Sequence, residues 1–234
     1  MSKILITSGP TRQYLDPIRY LTNASSGRMG AALAQAALEA GYEVVVISGP
    51  VDIEYPKGAE VVKVVSTEEM HAAAIQRFAE CEGAIGAAAP CDYRPLEVLP
   101  DKMSKEDFIR SPEQRGELLL RLYETPDVMR ARGAMKREPE GDRPSQWLVA
   151  FALETSDHHV KALQKLHRKR CDLIVVNDPT AINGTKTNVE ILNSDGDSIA
   201  KVSGDTLAVA RRLFKEIRGY LTEKEARREN SRRP

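Results

Sequence analysis

An α/β fold with a doubly wound, mainly parallel sheet is what this 234-residue sequence predicts, and two observations predict it. Runs such as "KILITS" (3–8), "YEVVVIS" (42–48) and "DLIVVND" (172–178) are continuously apolar rather than alternating, as strands covered on both faces are. Between them lie stretches with apolar residues at helical spacing, and strands that alternate with helices build parallel crossovers.

Taken in order, "KILITS" is the first strand, and an alanine-rich helix over 26–40 closes at Gly41, since glycine readily takes the left-handed conformation that ends a helix. "YEVVVIS" and "AEVVKVVS" (59–66) are the second and third strands. "STEEMHAAAIQRFAE" (66–80) opens with the Ser/Thr-x-x-Glu pattern of a capped helix. "GAIGAAA" (83–89) is a buried strand of small side chains, and over 90–111 the pattern gives way to a charged, proline-containing loop. "GELLLRLYET" (116–125) predicts a strand, and "PDVMRARGAMKRE" (126–138) a helix with proline in its first turn. "RPSQWLVAFALET" (143–155) is a turn into a strand, and a helix over 156–170 leads to "DLIVVND". Two short strands around "NSDGD" (193–197) form a small antiparallel extension before a helix over 205–221. Residues 1–220 read as a single domain, and 221–234, nearly devoid of apolar side chains, predict a disordered basic tail.

Composition excludes some partners. The 34 basic and 34 acidic side chains cancel, so no global field draws in nucleic acid or a membrane, and neither is expected as a partner. No apolar run approaches the roughly 20 residues of a membrane-spanning helix. Cys81, Cys91 and Cys171 form no C-x-x-C pair, which predicts reduced thiols and a cytoplasmic protein. His158, His159 and His167 have no metal-ligand pattern and read as surface residues.

Doubly wound sheets bind ligands at the carboxyl ends of their strands, where three loops stand out: 9–27, 88–111 and 177–188. Loops longer than about 12 residues are uncommon unless functional or disordered, so the three together predict a composite site. The first does not carry G-x-G-x-x-G; it carries Thr11, Arg12, Asp16, Arg19 and Asn23. In the second, Ala87 to Ala89 allow close approach of a ligand, Asp92 can accept hydroxyl hydrogens, and Lys102 and Lys105 can close over phosphates. On the helix over 156–170, Lys161, Lys165 and Lys169 share one face, where like charges repel by a few tenths of a kcal/mol per pair, about what helix pairs measure. A polyphosphate would relieve that repulsion; a solvated face with nearby acids is the alternative.

The stretches "ITSGPTRQYLDPIRYLTNASSGRMG", "ISGPV", "TEEM", "AAAPCDYRP", "LPDKMSK", "TPDV", "FALET" and "VVND", in this order across residues 3–220, closely resemble the phosphopantothenoylcysteine synthetase family, also called phosphopantothenate-cysteine ligases. The resemblance implies a Rossmann-like fold and a two-step ligation. Magnesium-bound nucleoside triphosphate, CTP more often than ATP in bacterial members, is attacked by the carboxylate of 4'-phosphopantothenate to give an acyl-nucleotide. The cysteine amine then displaces the nucleotide. It also implies a homodimer and, because the resemblance starts at the first strand, no flavin in this chain and a possible separate flavin-dependent decarboxylase.

Site residues carry over by motif. Asn23 would hold and convert the acyl-nucleotide, and Arg19 would contact substrate. Gly86, Ala87, Ala88, Asp92, Lys102, Pro126, Asp127, Val128, Met129, Phe151, Lys165 and Lys169 would meet the nucleotide; the metal ligands are not assigned. Lys102 and Lys105 belong to a lid, with Lys102 needed for acyl-nucleotide formation. Three departures stand out: the family's Lys-x-Lys-Lys lid reads Lys102-Met103-Ser104-Lys105, Pro90 and Cys91 replace small apolar residues before Asp92, and Arg28 stands where many members have lysine. Two other readings remain open. A nicotinamide-dependent reductase would share the fold, and Tyr220 and Lys224 fit a Y-x-x-x-K pattern. A nucleotide-sensing or nucleic-acid-binding module would use the basic tail.

Overall fold

The computed structural model describes residues 2–104, 119–137, 145–153, 157–177 and 187–231. Strand β1 (Lys3–Ser8) runs into a ribbon of β2 (Arg12–Tyr14) and β3 (Tyr20–Thr22), then helix α1 (Arg28–Glu39). Strands β4 (Glu43–Ser48) and β5 (Glu60–Lys63) precede α2 (Thr67–Phe78) and β6 (Gly83–Gly86). A second ribbon, β7 (Tyr93–Pro95) with β8 (Leu122–Glu124), is followed by α3 (Val128–Met135), β9 (Trp147–Leu153), α4 (His158–Lys169) and β10 (Leu173–Asn177). The chain continues through β11 (Thr187–Asn193) and β12 (Ser198–Gly204) into α5 (Thr206–Ser231).

Among the described residues, eight strands form the main sheet in the order β12-β11-β10-β9-β6-β1-β4-β5. From β5 across to β10 every neighbouring pair is parallel, and β11 and β12 add on antiparallel. The fold is therefore the expected α/β, Rossmann-like one with a small antiparallel extension. Taken alone, the parallel strands have the order 3-2-1-4-5-6, whose reversal point lies between β1 and β6 and opens a crevice beyond their carboxyl ends.

Alternation along each strand fills both faces. Ile4, Ile6, Val44 and Val46 pack with Leu33 and Ala37 of α1 and Leu213 and Ile217 of α5. Leu5, Ile47 and Ala84 face the other way, onto Met70 and Phe78 of α2 and Leu166 of α4. With both faces covered, a polar residue in these strands would lose water without gaining a partner, which is why the runs are continuously apolar. The capped start of α2 forms as expected: Ser66 Oγ accepts from the Glu69 amide at 3.1 Å, and the Glu69 carboxylate accepts from the Val65 amide at 2.8 Å. Gly30 brings α1 against the end of β1, because a Cβ there would lie 2.1 Å from Ser8 Oγ.

Three outcomes differ from expectation. The strand predicted over 116–125 is confined, among described residues, to Leu122–Glu124, where its partner is the short β7 rather than the main sheet. The β2–β3 and β7–β8 ribbons were not anticipated. The tail predicted as disordered from residue 221 is helical to Ser231. Apolar burial alone would have ended α5 near Leu221, but polar contacts carry it on: Lys224 Nζ donates to Asp172 Oδ1 at 2.8 Å, Arg228 Nη1 to Ser145 Oγ at 3.1 Å, and Arg227 lies 3.7 Å from Glu223 one turn back. Cys81, Cys91 and Cys171 are buried and unpaired, and burial pushes the Cys81 thiol up to about 11 and that of Cys171 up to about 12. Among described residues no helix is long and apolar enough to cross a membrane.

Candidate active site

A cleft of about 350 Å³ lies at the carboxyl edge beside the β1–β6 reversal point. Its floor is Thr7 of β1, Gly86 and Ala88 at the end of β6, and Ala150 and Phe151 of β9; its wall is the start of α3 with Lys165, Arg168 and Lys169 of α4. Of the residues predicted to meet a nucleotide, Gly86, Ala88, Asp92, Pro126, Asp127, Val128, Met129, Phe151, Lys165 and Lys169 all line this one cleft. Ala87 and Lys102 do not. Strand alternation turns the Ala87 side chain onto the α1/α5 face, while Ala88 packs on the α2–α4 side.

Secondary structure places this group. Gly86 admits the start of α3 to the strand end, since a Cβ there would meet Met129 Sδ at 2.5 Å. Asp127 caps α3, its Oδ1 accepting from the Met129 and Arg130 amides at 3.1 and 3.0 Å. Lys169 Nζ lies 3.2 Å from the same oxygen. Burial pushes the Asp127 carboxyl up, but the Lys169 charge and the two amides outweigh it and hold the group below the usual carboxylate range. Cβ atoms of a helix lean toward its N-terminus, so Lys165 and Lys169 on the later turns of α4 reach back toward the carboxyl edge. Lys161, the third member of that stripe, is not part of the lining.

The Asp92 loop is held differently, by buried hydroxyls on the backbone of Cys91. Thr11 Oγ1 accepts from the Cys91 amide at 2.8 Å, and Thr67 and Thr125 donate to its carbonyl at 3.0 and 2.7 Å. Thr67 spends its one hydroxyl hydrogen on Cys91, so Thr11 is the donor in the 2.7 Å contact between the two threonines. The Thr125 amide then donates to the Asp92 carbonyl at 2.9 Å. The Asp92 side chain itself remains exposed at the cleft.

Asn23, Arg19 and Lys102 stand apart from the cleft lining. Asn23 Nδ2 donates to the Pro90 carbonyl at 2.8 Å, which ties the first loop to the second beside Asp92. Arg19 Nη1 donates to Asp16 Oδ2 at 2.9 Å and to the Met103 carbonyl at 2.8 Å. Lys102 is exposed next to that contact. Lys105 lies outside the described residues, as does most of the loop 177–188.

Several contributors carried no predicted role. Thr67 and Thr125 sit inside "TEEM" and "TPDV", so the motifs contained them without saying why. Tyr93, Glu124, Arg130 and Arg168 also line the cleft. Tyr220 and Lys224, the reductase-like pair, lie elsewhere: Lys224 binds Asp172, just before β10, at the amino end of the strands. A nicotinamide at the carboxyl edge would be out of their reach.

The family model for the DNA/pantothenate metabolism flavoprotein C-terminal domain matches residues 1–221. The chain is similar to the Coenzyme A biosynthesis bifunctional protein CoaBC of Bacillus subtilis (strain 168), at 38% identity over 219 residues that cover 92% of this chain and 50% of that protein. It thus spans about half the length of the curated relatives it matches. Among solved structures it is similar to the C-terminal domain of Coenzyme A biosynthesis bifunctional protein CoaBC, with a TM-score of 0.75 at 32% identity, covering 95% of this chain and 96% of that one. It also shares its fold with a Cab2 variant in complex with phosphopantothenate-cysteine, with a TM-score of 0.73 at 18% identity, covering 97% of this chain and 89% of that one.

Proposed function

We propose that this chain, which belongs to the family of DNA/pantothenate metabolism flavoprotein C-terminal domains, is a ligase that joins 4'-phosphopantothenate to cysteine through an acyl-nucleotide. The observation that carries the reading is the convergence of Asp92, Asp127, Phe151, Lys165 and Lys169 on one cleft at the sheet's reversal point. The relatives' role in coenzyme A biosynthesis supports the same reading.

In the first step a carboxylate oxygen of phosphopantothenate attacks the α-phosphorus, the bond to the β-phosphate oxygen breaks, and pyrophosphate leaves. In the second the cysteine amine attacks the acyl carbon, the nucleoside monophosphate leaves with the bonding electron pair, and the amine gives up a proton. Neither step needs a protein nucleophile. Catalysis consists of orienting the reactants and neutralising charge. Lys165 and Lys169 supply positive charge on the α4 wall, and Asp92 accepts hydrogen bonds from the nucleotide. Asn23 steadies the acyl-nucleotide beside the Pro90 carbonyl, Arg19 contacts substrate from the first loop, and Lys102 supports charge building toward pyrophosphate.

CTP is the proposed co-substrate in preference to ATP. Asp92 and Glu124 at the cleft are carboxylates suited to a magnesium ion carried in by the triphosphate, which takes one or two carboxylates and retains water. Bound there, the ion would neutralise phosphate charge. A homodimer completes the proposal.

The test is pyrophosphate release across the four nucleoside triphosphates. Sustained release that requires phosphopantothenate and cysteine together supports the ligase, with CTP expected fastest. No release under any combination overturns it, and a faster rate with ATP overturns the CTP preference alone.

A further inference from the structure

We infer that Asp16 is a positioning residue that sets the origin of Lys102, an inference that rests on the ligase reading above. Asp16 is fully buried in the first loop. Its Oδ1 accepts from the amides of Ile18 and Arg19 at 2.9 and 2.7 Å, which folds the loop into a local turn. Its Oδ2 accepts from Arg19 Nη1 at 2.9 Å and, across 87 residues of sequence, from the Met103 amide at 3.1 Å. Arg19 Nη1 completes the bracket by donating to the Met103 carbonyl at 2.8 Å.

Both backbone polar groups of Met103 are therefore held by one ion pair whose carboxylate is buried and whose guanidinium is partly exposed, and the Met103 side chain is buried as well. Nearby, the Leu99 amide donates to the Leu15 carbonyl at 3.0 Å, so the same stretch is tied to the first loop twice. Lys102 is the residue before Met103, and consecutive Cα atoms are about 3.8 Å apart. Its ammonium swings from a fixed point rather than from a free loop. Ordering a lysine from an unrestrained segment costs backbone and side-chain entropy at the moment of reaction; the Asp16 bracket removes the backbone part beforehand. Arg19 then has two tasks, contacting substrate and closing the bracket.

Asp16→Asn tests this. The amide retains an oxygen for the local turn and sets an NH2 group against the Met103 amide and the Arg19 guanidinium, so the bracket opens while the turn survives. Single-turnover pyrophosphate release is expected to fall by about 10- to 100-fold, the scale of a displacement near 1 Å, with the nucleotide KM changed by less than about threefold. In a Lys102→Gln background, Asp16→Asn should slow release by no more than about twofold further, because a residue acting through Lys102 has nothing left to position. Additive losses, or a rate equal to wild type in the single variant, overturn the inference. Hydrogen exchange of the Met103 amide in the unmodified protein is independent of how any variant folds: protection is expected, and exchange at the rate of an open loop overturns the inference. A wild-type chain that releases no pyrophosphate overturns the ligase reading and this inference together. Wild-type release with an unimpaired Asp16→Asn overturns only the latter.

Discussion

The cleft and the loops beside it hold their charged residues by different means. In the cleft, Lys165, Lys169, Asp127 and Phe151 sit on α4, at the start of α3 and in β9, whose backbone hydrogen bonds are internal to the fold. Beside it, Asn23, Arg19 and Lys102 lie on loops fastened by side chains that reach across the sequence to backbone groups, as in the contacts from Asn23 to Pro90 and from Arg19 to Met103. A rigid element keeps its geometry when one polar partner is lost; a bracketed loop does not. Substitutions in the first region should therefore change nucleotide binding, and those in the second should change the chemical steps.

The largest expected effects fall in the loop region. Lys102→Gln is expected to abolish steady-state pyrophosphate release, leaving only a slow single-turnover residue, while nucleotide still binds, because its positive charge matters where charge develops and not in the ground state. Asn23→Asp should release pyrophosphate once and then stall with acyl-nucleotide trapped, detectable by mass spectrometry, since a carboxylate repels the anionic intermediate and cannot donate. Wild-type turnover in either variant would erase the distinction between the two regions.

The cleft gives an intermediate effect. Lys165→Gln with Lys169→Gln removes two charge-assisted donors worth about 1.5–3 kcal/mol each, so the nucleotide KM should rise at least about 100-fold. The KM for cysteine should change little. If the double variant bound nucleotide normally and only its melting temperature moved, the lysine stripe would be a structural face of α4.

How legible each region was in the sequence follows from the same difference. The parallel sheet, α1 and α2 were readable because apolar runs, a capping pattern and Gly41 act over a few neighbouring residues, and the cleft residues inherit their places from those elements. The brackets were not readable. Asp16 to Met103 and Thr11 to Cys91 link positions 87 and 80 residues apart through single hydrogen bonds, and no local periodicity encodes such a pairing. The helical extension to Ser231 was missed for a related reason: its anchor, Asp172, is 52 residues from Lys224.

The smallest expected effect concerns Asp127, which belongs to the rigid region yet carries an ion pair. Asparagine caps helices about as well as aspartate, so Asp127→Asn keeps the acceptor for the Met129 and Arg130 amides and loses only the charge facing Lys169. At neutral pH the loss should be below about 1 kcal/mol, because the pair is partly open to solvent. The folded carboxyl lies below its unfolded value despite burial, owing to Lys169 and the two amides. Its contribution is therefore fully present above the unfolded value of about 3.9 and disappears as pH falls through the lower folded one. Denaturant midpoints of wild type and Asp127→Asn should differ by a constant amount between about pH 5 and 8 and converge only in stronger acid. A difference that instead changed above the carboxylate range but below the ordinary histidine range would assign the effect to the neighbouring His71, whose pKa burial and the Arg132 charge hold below its usual value. The Asp127–Lys169 pair would then have no measurable part in the stability of the cleft.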